Sequence, residues 1–153
     1  KEIFDHIKSI GGKAVMTSDS HERCTDRCAE AMLKVENETG QTCDIMVIVQ
    51  GDEPLTFPQM IDESIEPMIK DKSIMITNLI ADIDNEEQFE NPNEIKVVID
   101  KNNDALYFSR EPIPSRKKSS LKSMKKQVCV IPFKRDFLYL IIFGNLFRFN
   151  DFS

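Results

Sequence analysis

No stretch of this 153-residue chain approaches the roughly 20 consecutive apolar residues that span a bilayer. The longest uncharged apolar run, Phe137 to Phe143, is far too short, so a membrane-spanning protein is not expected. Positive charge is also in short supply. The 20 Lys and Arg against 26 Asp and Glu leave a net charge of -6, which argues against a nucleic-acid partner, because such proteins present a basic face. A basic, apolar, small-residue leader is missing, so the four cysteines (Cys24, Cys28, Cys43 and Cys129) read as reduced thiols of a cytoplasmic protein. Cys24 and Cys28 lie four apart with His21 nearby, but the tight pairs of a zinc site are lacking, and small buried hydrophobes are their expected use. There is no internal repeat.

What is present fits a globular domain with a sizeable core: 41% of residues are hydrophobic and 30% charged. The charge is uneven. Between Arg110 and Lys126 seven Lys or Arg face the single acid Glu111, so the remainder carries about -12. Three parts follow: residues 1–114 as the main body, a basic Ser- and Lys-rich loop or linker at 115–127, and a strand plus apolar tail at 128–153. The loop cannot bury apolar surface. A nucleic-acid or acidic-lipid contact is its rarer use, and a solvated linker the ordinary one. The tail has six Phe from Phe133 onward, which predicts exposed apolar surface and association.

Apolar residues Ile3, Phe4, Ile7 and Ile10 mark an amphipathic helix that stops at Gly11-Gly12. A strand is expected from Lys13 to Thr17. Thr25 is a plausible N-cap for a helix through about Glu38, with Asp26 in its first turn and Gly40 closing it. The run Ile45 to Val49 is apolar on both faces, as a central strand of a parallel, helix-covered sheet reads, and it ends in Gln50-Gly51-Asp52-Glu53-Pro54. Ligands bind beyond the carboxyl ends of such strands, so this loop is the first place to look for chemistry. Thr56 opens a helix running toward Lys70 despite Pro67. A strand at Ser73 to Ile80 and a hairpin of Ile95 to Asp100 with Ala105 to Arg110 complete a mixed sheet with helices on its faces.

Five segments, in order, carry a resemblance: Gly-Gly-Lys-Ala-Val-Met-Thr at 11–17, His-Glu-Arg-Cys-Thr-Asp-Arg at 21–27, Val-Gln-Gly-Asp-Glu-Pro at 49–54, Asn-Pro-Asn-Glu-Ile-Lys-Val-Val at 91–98 and Ala-Leu-Tyr-Phe-Ser-Arg at 105–110, which runs on to Ile113-Pro114. Together they resemble the CMP-Kdo synthetase (3-deoxy-manno-octulosonate cytidylyltransferase) family over roughly residues 1–138. The resemblance implies an α/β, three-layer Rossmann-like nucleotidyltransferase fold with a mixed sheet, incomplete in this chain. It further implies transfer of CMP from CTP to 3-deoxy-manno-octulosonate (Kdo), release of pyrophosphate, a requirement for Mg²⁺, a role in lipopolysaccharide synthesis, and a homodimer in the full-length family.

Site residues follow from the same resemblance. Asp52 is the choice for the metal ligand, and independently a hard cation prefers carboxylate oxygen and takes other ligands from phosphates and water. Gln50 is placed beside the sugar acid, and Gly51 permits close approach of backbone to ligand. Arg27, Lys96 and Arg110 are candidates for the sugar carboxylate or the phosphates. His21, Thr25 and Asp26 border the nucleotide and sugar pocket, with Tyr107 and Ser109 lining it. Each has a plainer reading: Asp52 as a solvated turn residue, Thr25-Asp26 as a helix cap, Lys96 and Arg110 as surface charges that discourage edge pairing. Tyr107 alternates with Phe108, so one of the two is expected in the core.

The family's N-terminal phosphate-cradling loop has no counterpart in residues 1–20, and residues 139–153 diverge from the family's distal segment. A fragment of a longer enzyme is therefore expected rather than a minimal one, and a catalytically inactive sugar-acid-binding or interaction module is the alternative. A cytidylyltransferase for sialic acid or amino-Kdo is the same-class alternative. The family usually has a Ser-Gly pair where this chain has Arg23-Cys24.

Overall fold

The computed structural model describes residues 1–117 and 124–143. The chain divides into two compact units, one of Lys1–Ile48, Met68–Ile76 and the described residues from Pro132 on, the other of Val49–Pro67 and the described residues of Thr77–Ile131.

In the first unit, helix α1 (Glu2–Ser9) places Glu2 and Asp5 in its first turn and His6 and Lys8 in its last, matching the helix dipole at both ends. It closes where Gly11, at φ +80°, takes a left-handed conformation and Gly12 N–H bonds the Ile7 carbonyl at 2.8 Å. A Cβ on Gly12 would stand 2.7 Å from Ile7 Cγ2, so the expected stop at this pair holds for steric reasons. Helix α2 (Cys24–Thr39) buries Ala29 and Met32 and ends as expected at Gly40, whose N–H bonds the Glu36 carbonyl at 2.8 Å. Its N-cap is Arg23 with no side-chain bond, so Thr25 lies inside the helix and does not cap it. Lys13 to Thr17 is not a strand: Lys34 Nζ bonds the Met16 carbonyl (2.8 Å) and Arg27 Nη1 bonds Thr17 Oγ1 (2.6 Å), so side chains of α2 occupy its polar groups.

Strand β1 (Ile45–Val49) is followed by helix α3 (Pro58–Lys70), which contains Pro67 as expected. Of the expected strand Ser73 to Ile80 only an isolated bridge, Ile76 to Phe133, and the first residue of β2 (Ile80–Asp82) form. Polar side chains interrupt the ladder. Asp71 Oδ1 accepts from both Ser73 N–H and Oγ, and Asn78 Nδ2 donates to the carbonyls of Leu79 and Val128, each at 2.7 Å.

The second unit is built on helix α4 (Glu86–Glu90) and a four-stranded sheet of β2, β3 (Lys96–Ile99), β4 (Ala105–Ser109) and β5 (Lys125–Gln127), in the order β2-β5-β3-β4. Its strand pairs are antiparallel, with Ile80 opposite Gln127 and Val97 opposite Phe108. The expected hairpin is present: Asp100 Oδ1 accepts from the N–H groups of Asn102 and Asp104 (2.7 and 2.9 Å), and Asn103 takes φ +67°. Asn85 caps α4 by accepting from Gln88 N–H at 2.9 Å, which seats Phe89 against Ile83 and Met124 in the core. Met124 and β5 fall in the segment expected to be loop, because its Lys-rich composition hides one buried side chain and a short strand.

Strand β6 (Val130–Lys134) pairs with β1, and helix α5 (Arg135–Phe143) follows directly. Arg135 N–H bonds the Asp44 carbonyl (3.1 Å) and Gln50 N–H the Cys129 carbonyl (3.3 Å), so the two strands run antiparallel rather than in the parallel sense read from the apolar run. Residues 144–153 of the expected tail lie outside the described residues. No helix among the described residues is long and apolar enough to cross a membrane.

Candidate functional site

In the second unit the chain turns as soon as β1 ends. Glu53 N–H returns to the Gln50 carbonyl (3.1 Å) and Thr56 N–H to the Glu53 carbonyl (3.2 Å). The Glu53 carboxylate accepts from Cys129 N–H at 2.9 Å, while Gln50 N–H bonds the Cys129 carbonyl, so one residue anchors the loop twice. Gly51 and Asp52 are left exposed at its apex, and a Cβ on Gly51 would meet nothing within 4 Å.

The loop borders a cavity of about 290 Å³ lined also by Asn93, Glu94, Lys126 and Gln127. Three carboxylates reach it, and they differ in state. Glu53 is held by Cys129 N–H, and Glu94 is paired with Lys126 Nζ at 3.2 Å. Asp52 has no hydrogen-bond or ion-pair partner among the described residues, so both its oxygens are open. A single open carboxylate at the rim of a polar cavity fits a small divalent cation, which takes one or two carboxylates and completes its shell with phosphate and water.

Lys96, the first residue of β3, is 0% exposed and sits between Ser109 of β4 and Lys126 of β5. It is therefore not a surface charge guarding an edge. Its Nζ donates to the carbonyls of Asn91 (2.8 Å) and Glu94 (2.7 Å), and burial pushes its ammonium below the ordinary lysine range against the opposing pull of Glu111, Glu94 and Glu90. Arg110 Nη1 bonds the Pro92 carbonyl at 2.9 Å, so it too serves the 91–94 turn. Ser109 Oγ accepts from Glu111 N–H at 2.9 Å. Ser109 and Tyr107 do not line the cavity. Tyr107 is 63% and Phe108 39% exposed on the edge strand β4, so neither is the expected core residue.

The remaining candidates gather in the first unit around the start of α2. Arg27 Nη1 donates to Thr17 Oγ1 (2.6 Å) and to the Ser18 carbonyl (3.0 Å). His21 Nε2 bonds the Glu30 carboxylate, which also accepts from Ser18 N–H (3.0 Å) and pairs with Lys34 Nζ (2.6 Å). Lys34, with Ser18 N–H and His21, holds the Glu30 carboxyl down to about 2. Asp26 pairs with Arg23 at 3.4 Å, and its Oδ1 is buried without a partner among the described residues. All four cysteines are free, burial raises the Cys28 thiol, and among the described residues no group of three or more His, Cys, Asp or Glu forms a metal cluster.

Sequence reasoning missed Glu53, Asn93, Glu94, Lys126 and Gln127 as cavity residues, and Glu30 as the hub beneath His21. Asn93 and Glu94 stood inside a quoted motif without a role. Lys126 and Gln127 carried no signal, because their neighbours have the composition of a linker.

The family model for cytidylyltransferases matches residues 1–147. A 3-deoxy-manno-octulosonate cytidylyltransferase of Geobacter metallireducens is 44% identical over 115 residues, covering 75% of this chain and 43% of that protein. The protein of that name from Geotalea daltonii is 40% identical over an alignment that covers 100% of this chain and 59% of its own length. A solved structure of CMP:2-keto-3-deoxy-manno-octonic acid synthetase complexed with CTP superposes with a TM-score of 0.79 at 35% identity, over 92% of this chain and 55% of that one. The chain thus spans about half the length of the curated relatives it matches, and the Rossmann-like α/β fold implied by the resemblance is the one it shares with that structure.

Proposed function

The chain belongs to the cytidylyltransferase family, and on that premise we propose that the whole protein transfers CMP from CTP to 3-deoxy-manno-octulosonate, with release of pyrophosphate, as a cytoplasmic step of lipopolysaccharide synthesis. What carries this reading is that a relative named for that substrate aligns over the entire chain, the cavity residues included. The full-length protein acts as a homodimer.

Asp52 holds the divalent cation, Mg²⁺. When bound, Mg²⁺ supplies positive charge at the α-phosphate and at the pyrophosphate that leaves. Gln50, fixed by its backbone bonds to Cys129 and Glu53, presents its amide to the sugar acid, and Gly51 lets the ligand approach the backbone. Arg110 draws in the anionic end of a substrate. In the first unit, Glu30 sets the orientation of His21.

A mass-spectrometric product assay tests the reading. The whole protein is incubated with CTP and Mg²⁺ and, in turn, with 3-deoxy-manno-octulosonate, its amino analogue and sialic acid. A CMP-linked product with the first acid alone is the expected result. A product only with another acid reassigns the substrate, and no CMP-linked product with any of them rejects the activity.

A further inference from the structure

The turn from Asn91 to Glu94 forms one wall of the cavity and is fixed from several directions. Asn91 Oδ1 accepts from Asn93 N–H at 2.9 Å, and Glu94 N–H bonds the Asn91 carbonyl at 3.1 Å, so the turn folds on itself. From beneath, Lys96 Nζ reaches the carbonyls of Asn91 and Glu94 at 2.8 and 2.7 Å, while Arg110 holds the Pro92 carbonyl and Lys126 the Glu94 carboxylate. Among these three cations Lys96 is the one shut off from solvent, at 0% exposure. Removing an ammonium from water is unfavourable unless its donors are met, and here two of the three are met by carbonyls of one turn. A methionine of similar length would fill the same space without that penalty. The feature unique to lysine is the geometry it imposes on the turn.

That geometry has a beneficiary. Asn93 stands at the cavity wall, and its side-chain amide has no hydrogen-bond partner among the described residues. An amide offers a donor and an acceptor side by side, which suits the vicinal hydroxyls of a sugar. We propose that Lys96 is a positioning residue of the sugar-acid pocket: it does not touch the substrate, but fixes the 91–94 turn so that the Asn93 amide is held ready for a substrate hydroxyl. This rests on the sugar-acid transferase reading above, and it removes Lys96 from the groups that contact phosphate or carboxylate.

The test uses the whole protein with Lys96→Met, which keeps the stem and loses every donor, and Lys96→Gln, which keeps two donors on a shorter stem. Amide exchange is followed at Glu94 and at Val97 and Val98 of the hairpin, and binding of 3-deoxy-manno-octulosonate and of CTP is measured by titration. In Lys96→Met the Glu94 amide exchanges about tenfold faster or more while the hairpin amides keep their protection, because bonds to a charged donor are lost at the turn alone. Affinity for the sugar acid falls about tenfold and affinity for CTP does not change; Lys96→Gln lies between. Unchanged Glu94 exchange overturns the proposal, as does unchanged sugar-acid affinity once that protection is lost. Collapse of the hairpin in both variants overturns it in favour of a core role. A wild-type protein that binds no sugar acid refutes the parent reading and the ligand, while the exchange rates still decide whether Lys96 holds the turn.

Discussion

Arg135 grips Glu36 with two parallel bonds, Nε to Oε1 at 2.7 Å and Nη2 to Oε2 at 2.9 Å, and so ties the first residue of α5 to the last turns of α2. The same carboxylate accepts from Cys43 N–H at 2.9 Å, which closes the connection between α2 and β1. A planar fork fits this arrangement and a lysine would not.

The pair makes stability depend on acid. Arg135 and Cys43 N–H hold the Glu36 carboxyl at about 2, below its ordinary 4.5. A carboxyl whose folded value is depressed contributes fully above its unfolded value and loses that contribution as pH falls through the folded one. Wild-type stability therefore declines between pH of about 4.5 and about 2. Glu30 titrates over the same window, so the measurement is the difference from Arg135→Gln. Urea unfolding across that range should show a shallower decline in the variant, and parallel curves would contradict the pairing.

Phe89 is 1% exposed, packs against Ile83 and Met124, and carries the Arg116 guanidinium 5.2 Å above its ring. Phe89→Ala removes a full aromatic side chain from a site closed on all sides and should lower unfolding free energy by about 3–5 kcal/mol. Urea denaturation reads this directly, and a loss under about 1 kcal/mol would mean that α4 does not cover a packed core.

Gly51 separates fold from function. A Cβ there meets no atom within 4 Å, so Gly51→Ala should leave stability within about 0.5 kcal/mol of wild type. If backbone approach by a ligand is the reason for glycine, the same variant raises KM for the sugar acid with little effect on the denaturation midpoint. Loss of stability instead would assign Gly51 to the turn itself.

Legibility followed the range of the interactions. The hairpin, the stop at Gly11-Gly12 and the Gly40 cap were readable because turn and cap chemistry is set within a few residues. Thr25 misled because it has the composition of a cap, while the helix starts one residue before it and leaves Arg23 in the capping position. Lys13 to Thr17 has the pattern of a strand, but Arg27, Glu30 and Lys34 of α2 occupy its polar groups and those of Ser18, a contact no local pattern encodes. The loop at Gln50 to Glu53 was found from its place after an apolar strand. The opposite wall of the cavity was not, because Lys126 and Gln127 enter it through a pairing with β3 and β2, about 30 and 45 residues away in sequence.

The most direct test of the account is pyrophosphate release by the whole protein with CTP, Mg²⁺ and 3-deoxy-manno-octulosonate, run beside Asp52→Asn. Asp52 makes no bond among the described residues that the fold would miss, so the variant should stay folded. Release should depend on the sugar acid in the wild type and fall by about a hundredfold or more in the variant, as loss of a charge-stabilising group at the reacting phosphate does. Equal rates in the two proteins, or release that ignores the sugar acid, would contradict it.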